Sequence, residues 1–485
     1  MGSLNVRRRK CLSHNDLHAI RRRQDQKART ARRQLQRFCQ QLPKKVRIVF
    51  DPLEPTFSRP TYRRFLVLAL AAILTLGGRN ICSLLRCLGT LGPGHPSSYH
   101  RVFSRSPWSS WALARRFSGA ALAHFAPQGP IELAGDDTLA EHPGPKVYGK
   151  GCHRDPVRST RSFTAYRWGH KWVVLALLVR FPFASRRWAL PLLVALYRPK
   201  EQNRKRRRRH KTPPQLVRQM LLVLKRWYPE RRFVCSGDGN YATHELAMIA
   251  AHDPHRFTII SKFYPNANLM APPPPYGGKG RPRIKGEELP SPAEVVRATQ
   301  QRPRLTVAWY GGGQRRVEVV TGTGLWYRSG KPLVPVRWVF VHDLTGTHRD
   351  EYLFTTDQTQ SAKAVIETYT GRWNLETTFE EMRSYVGLET TRGWSRLTVL
   401  RAEPCLFGLY TVVVWLYAEL PARWARVRVI NWPGKRDVTF SDAITAVRRW
   451  LWVEWVFATP GYRQAFSKLR GPSRRVVLEH LASAA

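Results

Sequence analysis

Acidic residues are scarce in this sequence: 33 Asp and Glu stand against 81 Lys and Arg in 485 residues, which gives a formal net charge of +48. A compact fold with this excess repels itself unless a polyanion lies along it. Nucleic acid is the favoured polyanion, but charge alone separates an enzyme neither from a basic structural protein nor from a protein that binds anionic membrane. Composition therefore predicts a partner and leaves the activity open.

Cysteines and long apolar segments are also few. The seven cysteines are scattered and never form Cys-x-x-Cys, which argues against a disulfide framework and a zinc ribbon and indicates a reducing cytoplasm. No apolar segment with a small-residue cleavage site follows the basic N-terminus, so no secretory signal is predicted. The apolar runs at 65–77 and 404–420 are short or borderline for a membrane span of about 20 residues. We interpret both as buried core helices and expect no membrane partner.

Changes of composition divide the chain into successive regions. Residues 80–89 and 97–105 form a helix-turn-helix-like pattern, for which ordinary helix packing is the alternative. Short runs with strand propensity begin near residue 131, and a Pro- and Gly-rich stretch followed by β-rich sequence interrupts them. The predicted regions are a basic arm (1–55), a helical DNA-binding region (56–130), a catalytic core in two parts (131–262 and 336–425), a β-rich insertion between them (263–335) and a C-terminal helical region (426–485).

The order of elements in the core predicts an α/β fold. Three strand-like runs come first, and a helix, a strand, a helix and a strand follow them along the chain. This is the order of a ribonuclease H-like mixed sheet flanked by helices. The predicted strands are residues 131–134, 172–179, 188–197, 233–235 and 257–260.

Carboxylates stand at the ends of two of these strands. Asp136 and Asp137 end the first run, and Asp238 follows the fourth run between Gly237 and Gly239, which let backbone and ligand come close. Phosphodiester chemistry with two metal ions needs such carboxylates, because hard cations such as Mg²⁺ prefer oxygen ligands. Each motif alone is equally compatible with a plain turn, since Asp is common after strands.

A helix predicted over residues 361–386 carries a third carboxylate. At 100° per residue, a polar stripe about 60° wide is formed by Tyr369, Arg372, Glu376 and Arg383. An apolar stripe beside it is formed by Leu375, Phe379, Met382 and Val386. The polar stripe is therefore expected at the edge of a buried face, with a kink or a helix start at Gly371. The alternative is a surface helix in which Arg372 and Glu376 form an ordinary pair worth about 0.2–0.5 kcal/mol.

The spacing of this stripe resembles the Tyr-Arg-Glu-Lys signature of DDE insertion-sequence transposases. Arg383 replaces the usual lysine and changes a point cation into a planar fork. The resemblance implies that Asp137, through its Asp-Thr pair, is the first catalytic acid, Asp238 the second and Glu376 the third. It also accounts for the β-rich insertion between the second and third acids.

The implied activity is metal-dependent cleavage and strand transfer of an insertion sequence. Asp137, Asp238 and Glu376 would hold two Mg²⁺ ions, for which Mn²⁺ can substitute. The resemblance further implies double-stranded DNA partners (transposon ends and target), a homodimer on paired ends, and a bacterial, nucleoid-associated cytoplasmic location. The implied DNA contacts are Tyr369, Arg372, Trp373 and Arg383. A catalytically silent DNA-binding derivative and a basic structural nucleic-acid-binding protein are the alternatives, because intact acids indicate capability rather than use.

Overall fold

A computed structural model describes residues 14–155, 158–278, 280–425 and 433–484. Residues 1–13 of the predicted arm and 426–432 of the predicted C-terminal region lie outside this description. Helices occupy most of the chain before the sheet, and several begin at side chains that cap them: the Asn80 side chain, for example, accepts a hydrogen bond from the Ser83 amide. These helices are α1 (His14–Gln40), α2 (Lys44–Phe50), α3 (Arg59–Leu74), α4 (Ile81–Leu88), α5 (Pro96–Ser104) and α6 (Ser110–Phe125).

The centre of the protein is a mixed sheet, which has 12 strands within the described residues. Apolar runs that are buried for most of their length, such as Val173–Val179, form its inner strands. The strands are β1 (Ile131–Glu141), β2 (Gly151–Arg154), β3 (Tyr166–Val179), β4 (Trp188–Tyr197), β5 (Phe233–Gly237), β6 (Phe257–Lys262), β7 (Leu269–Met270), β8 (Glu288–Leu289), β9 (Arg304–Ala308), β10 (Gln314–Trp326), β11 (Val334–Asp343) and β12 (Glu351–Thr355).

The sheet order places the strands that were predicted for the core side by side. β3 pairs antiparallel with both β4 and β1, β1 pairs parallel with β5, and β5 pairs parallel with β6. β12 then pairs antiparallel with β6, and β11, β10, β7 and β8 continue the same sheet. The predicted α/β class is confirmed at the level of a large mixed sheet with many helices.

Helices cover the sheet and extend beyond it. α13 packs against β4, and α15 packs against α13. The buried Arg448 side chain connects α15 to the C-terminal end of α3, because it donates hydrogen bonds to the carbonyls of Ile73 at 2.7 Å and Thr75 at 3.2 Å. The helices after β4 are α7 (Lys200–Lys205), α8 (Pro213–Trp227), α9 (His244–His252), α10 (Pro292–Ala298), α11 (Ala362–Gly371), α12 (Asn374–Glu381), α13 (Arg396–Ala418), α14 (Ala422–Ala425), α15 (Phe440–Leu451), α16 (Pro460–Lys468) and α17 (Gly471–Ala482).

The two apolar runs of the sequence lie in α3 and α13. Most of α3 is buried among the other helices. Among the described helices, α13 is long and apolar enough to cross a membrane by length and composition, and 61% of its most apolar window is buried inside the protein. Burial of this extent is typical of a core helix, as predicted for this run.

The close pairing of β1 with β3 depends on Gly169, and this dependence can be tested. A Cβ atom at this position would lie 2.1 Å from the backbone oxygen of Ala140, which cannot move without breaking the sheet. Gly169→Ala is therefore expected to lower the free energy of unfolding by about 1–3 kcal/mol or more, measured by urea denaturation. Gly277→Ala is the control, because nothing lies within 4 Å of its Cβ position. Equal stability of the two variants would contradict this close pairing of β1 and β3.

Candidate active site

Asp136 and Asp238 occupy equivalent positions on adjacent chain segments, where the parallel pairing of β1 and β5 ends: Asp136 lies within β1, and Asp238 directly follows β5. Gly135 on β1 is the register partner of Gly237 on β5, and this is the last pair of the parallel ladder. Asp136 and Asp238 are the next residue of each strand. Neighbouring strands lie about 4.8 Å apart, so the two carboxylates start from adjacent backbone positions. The nearby charge of Asp238 helps to raise the pKa of Asp136, as expected for like charges at close range.

Asp136 points towards the helices that carry Glu376. Its Oδ2 atom accepts a hydrogen bond from Arg372 at 2.7 Å, and the same guanidinium donates to Glu376 Oε1 at 3.0 Å. Burial raises the pKa of Asp136 to about 8, and the charge of Arg372 opposes this shift. Arg372 thus bridges two carboxylates that are distant in sequence.

Asp137 has different partners because successive side chains of a strand point to opposite faces. Its Oδ2 atom lies 2.7 Å from Lys171 Nζ on β3, and its Oδ1 atom accepts a hydrogen bond from Tyr241 at 3.1 Å. Burial, followed by the charge of Asp137, raises the pKa of Tyr241 well above its ordinary value. Asp137 is therefore held by Lys171 and Tyr241, whereas Asp136 is held by Arg372.

Asp238 caps the short 3₁₀ turn that follows β5. Its Oδ1 atom accepts from the Asn240 amide at 2.9 Å and its Oδ2 atom from the Asn240 side chain at 3.1 Å. The Ser261 hydroxyl on β6 holds this turn in place by donating hydrogen bonds to the backbone oxygens of Gly237 and Asp238. The Asp238 side chain is partly exposed, so it remains open to further ligands.

The helix that was predicted over residues 361–386 is interrupted. α11 ends at Gly371 and α12 begins at Asn374, and backbone bonds of the i→i−3 type join them, as from the Glu376 amide to the Trp373 oxygen at 3.0 Å. Residues 382–386 form a π-helical turn after α12. A kink at Gly371 agrees with the sequence expectation, but a uniform 100° per residue across the whole segment does not hold.

This interruption changes which side chains of the stripe reach solvent. Tyr369 is 1% exposed, and the Arg372 guanidinium lies over its ring at 5.7 Å from the centroid. The Glu376 side chain is 48% exposed and Trp373 is 38% exposed. Arg383 hydrogen-bonds the Thr138 hydroxyl and the backbone oxygen of Leu139 on β1. Glu376, Trp373 and Arg383 are thus the accessible members of the predicted set.

The structure places the three predicted acids near the end of the parallel ladder of β1 and β5, together with Asp136, Lys171 and Tyr241. The sequence offered Asp136 as the alternative to Asp137 and did not indicate Lys171 or Tyr241. Strand alternation was the signal available for Asp136, because it separates two adjacent acids onto opposite faces. Nothing in the spacing of Lys171 or Tyr241 indicated a site. Among the described residues, no three His, Cys, Asp or Glu side chains are arranged as a metal-binding group.

The buried bridge of Arg372 leads to a stability prediction. Arg372→Ala is expected to lower the free energy of unfolding by about 3–5 kcal/mol, because it leaves a buried carboxylate without its partner. Adding Asp136→Asn should restore part of the loss, since a neutral amide costs less to bury than a carboxylate. Urea denaturation measures both changes. Arg349→Ala, at an exposed position, is the control, and a loss for Arg372→Ala no larger than for this control would contradict the bridge.

Comparison with known proteins identifies a family. Residues 52–316 match the family described as DDE superfamily endonuclease. The match covers more than half of the chain; it includes Asp136, Asp137 and Asp238 and ends before Glu376. No curated protein matches the sequence. A solved structure similar to this chain is a cryo-EM structure of a piggyBac transposase synaptic complex with hairpin DNA, at 9% identity and a TM-score of 0.40, covering 90% of this chain and 84% of that one. By its family match, this chain belongs to the DDE superfamily endonucleases.

Proposed function

We propose that this protein is a DNA transposase that cleaves and transfers the strands of an insertion sequence with the help of divalent metal ions. The observation that carries the proposal is the placement of Asp136 on β1 and Asp238 after β5, each one residue past the end of their parallel ladder, with Arg372 joining Asp136 to Glu376. Membership of the DDE superfamily endonuclease family supports nuclease chemistry. The formal net charge of +48 supports a DNA partner.

The strand order supports a ribonuclease H-like catalytic core. β4, β3, β1, β5 and β6 lie in this order, with β1 antiparallel to β3 and parallel to β5. The chain leaves this part of the sheet after β6 and returns to it with β12, which pairs with β6. We therefore retain residues 131–262 and 336–425 as the proposed core and 263–335 as an insertion between them.

The residue types at the candidate site suit magnesium, although their side chains are not gathered into a metal-binding group within the described residues. The acidic side chains of the site offer carboxylate oxygens, the ligands that Mg²⁺ prefers. The positively charged guanidinium of Arg372 lies between Asp136 and Glu376, so a cation is compatible with this position. Asp238 and Glu376, with Asp136 or Asp137, would hold Mg²⁺ or Mn²⁺. When bound, the metal supplies Lewis-acid activation of the attacking oxygen and stabilisation of the leaving 3′ oxygen.

Two residues compete for the role of the first acid. The Asp-Thr pair of the resemblance favours Asp137. The direction of the side chain favours Asp136, which points towards Glu376 while Asp137 pairs with Lys171 and Tyr241. We propose that Asp136 holds the metal with Asp238 and Glu376, and that Asp137 positions Lys171 behind them.

The predicted DNA contacts divide into accessible and buried residues. Trp373 and Arg383 are accessible at the site and would contact the DNA backbone or an unstacked base. Tyr369 lies beneath Arg372, so its proposed role is to position that guanidinium rather than to touch DNA. Assembly as a homodimer on paired transposon ends, in the bacterial cytoplasm, completes the proposal.

The proposal predicts which carboxylates are needed for cleavage. With DNA carrying the ends that flank the gene, and with Mg²⁺, we expect nicking to fall by at least about 10³-fold in Asp238→Asn, Glu376→Gln and Asp136→Asn, with DNA affinity retained. Asp137→Asn should retain more activity than Asp136→Asn, because Asp137 acts through Lys171. Gel assays of nicking and filter binding measure the two properties separately.

Glu380→Gln is the matched control, because Glu380 is exposed on the same helix, one turn from Glu376. Its activity should equal that of the wild type. Loss of nicking in Asp137→Asn but not in Asp136→Asn would show that Asp137, and not Asp136, is the first catalytic acid. DNA binding without nicking by the wild type would show that the protein is the catalytically silent DNA-binding derivative. The ion pairs of Asp136 with Arg372 and of Asp137 with Lys171 are compatible with that alternative.

A further inference from the structure

An exposed aromatic face lies on a two-stranded ribbon beyond the candidate active site. The ribbon consists of β2 and the first residues of β3, residues 166–169, of which residues 166–168 extend past the end of β1. Tyr166 is 64% exposed and Trp168 is 61% exposed, and Phe163 just before the strand is 65% exposed. Aromatic rings bury large areas in folded proteins, so three exposed rings within six residues are not explained by packing of the described chain.

The pairing of the ribbon puts these rings on the same face as cationic side chains. Arg154 is the register partner of Tyr166, and Cys152 is the partner of Trp168. Both partners are exposed, whereas His153 on the opposite face is buried. Residues paired directly across a sheet share a face, so Arg154 lies beside Tyr166. Lys150 lies over the Trp168 ring, 5.8 Å from its centroid.

The charge around the ribbon is strongly positive. Two acidic residues next to it, Glu141 and Asp155, form ion pairs with Arg167, which lies on the other face, and Asp155 also lies 4.0 Å from Arg158. Arg154, Arg158 and Arg161 are exposed around the rings. A face that combines exposed rings with an excess of cations is complementary to a nucleic-acid strand, whose bases stack and whose phosphates are anionic.

The ribbon is within reach of DNA bound at the candidate active site. Val173 on β3 is the register partner of Asp137, and Trp168 lies five residues before it on the same strand. At about 3.4 Å per residue, Trp168 is about 17 Å from the acids along the sheet. A stacked strand covers this distance in about five nucleotides at about 3.4 Å each.

We infer that this ribbon binds an unpaired DNA strand next to the cleavage site, with bases stacked on Tyr166 and Trp168 and phosphates against Arg154 and Arg161. The choice of DNA rests on the proposed function, but binding by the ribbon does not require cleavage. The interaction gives affinity for single-stranded or gapped DNA over paired DNA, because only unpaired bases offer both ring faces for stacking.

The test compares a fully paired duplex with the same duplex containing a short single-stranded gap, in buffer without divalent metal. The double variant Tyr166→Ala/Trp168→Ala is expected to bind the gapped DNA about 10-fold more weakly or worse, and the paired duplex nearly as well as the wild type. Fluorescence anisotropy of labelled DNA measures both affinities. Photocrosslinking with 5-iodouracil in the gap should attach to Trp168 or Tyr166, identified by mass spectrometry.

Two controls keep the outcome interpretable. Trp111→Ala removes a ring that is 53% exposed on α6 and should leave both affinities unchanged. Tyr166→Phe/Trp168→Phe keeps the rings and should retain preference for gapped DNA, which separates stacking from misfolding.

Equal weakening on both DNAs, or none, would overturn the inference. Loss of self-association in the alanine variant with unchanged DNA affinity would also overturn it and make the ribbon an interface between copies of the chain. Absence of nicking by the wild type overturns the proposed function alone, because the ribbon is measured without metal.

Discussion

The contact on which the site depends most is the buried guanidinium of Arg372. It connects Asp136 on the central strand β1 to Glu376 on α12. Burial of the guanidinium and of the Asp136 carboxyl is costly unless the two groups pair, whereas the Glu376 side chain is half exposed. The ring of Tyr369 supports the guanidinium from the side of α11. Arg372 thus holds the carboxylates in place and at the same time partly neutralises them.

A second constraint is the close approach of backbone and ring behind Asp238. A Cβ atom on Gly237 would lie 2.5 Å from the Tyr241 Cβ, so only glycine permits the turn that brings Tyr241 back to β1 at Asp137. Tyr241 in turn donates to Asp137. The two faces of β1 are therefore held separately: one by Arg372 and the other by Tyr241 and Lys171. This separation distinguishes the two adjacent acids by their partners, whereas the sequence distinguished them only through the Asp-Thr pair of the resemblance.

Much of the core could be predicted because its strands are long apolar runs. β4 was predicted with the bounds that it has, and β1, β3, β5 and β6 were found but underestimated in length. β2, with the sequence Gly-Cys-His-Arg, has no apolar alternation and is formed only by pairing with β3, so no local pattern indicated it. The two-residue strands β7 and β8 are likewise products of tertiary pairing.

The candidate site was predicted in its members more accurately than in its geometry. The spacing from Tyr369 to Arg383 assumed one regular helix, whereas tight turns at Arg372 and Trp373 rotate Tyr369 into the core. Lys171 was not predicted because its role depends on the register of β3 against β1. Long-range register of this kind is set by the packing of whole strands and is not visible in local sequence.

The most direct test of the account is to map where a divalent metal binds. Fe²⁺ substituted for Mg²⁺, with ascorbate and peroxide, cuts the polypeptide near the bound ion, and the fragments can be identified by mass spectrometry. The account predicts cuts near Asp136, Asp238 and Glu376 that excess Mg²⁺ suppresses. Cuts confined to other parts of the chain, or cuts that Mg²⁺ does not suppress, would contradict it.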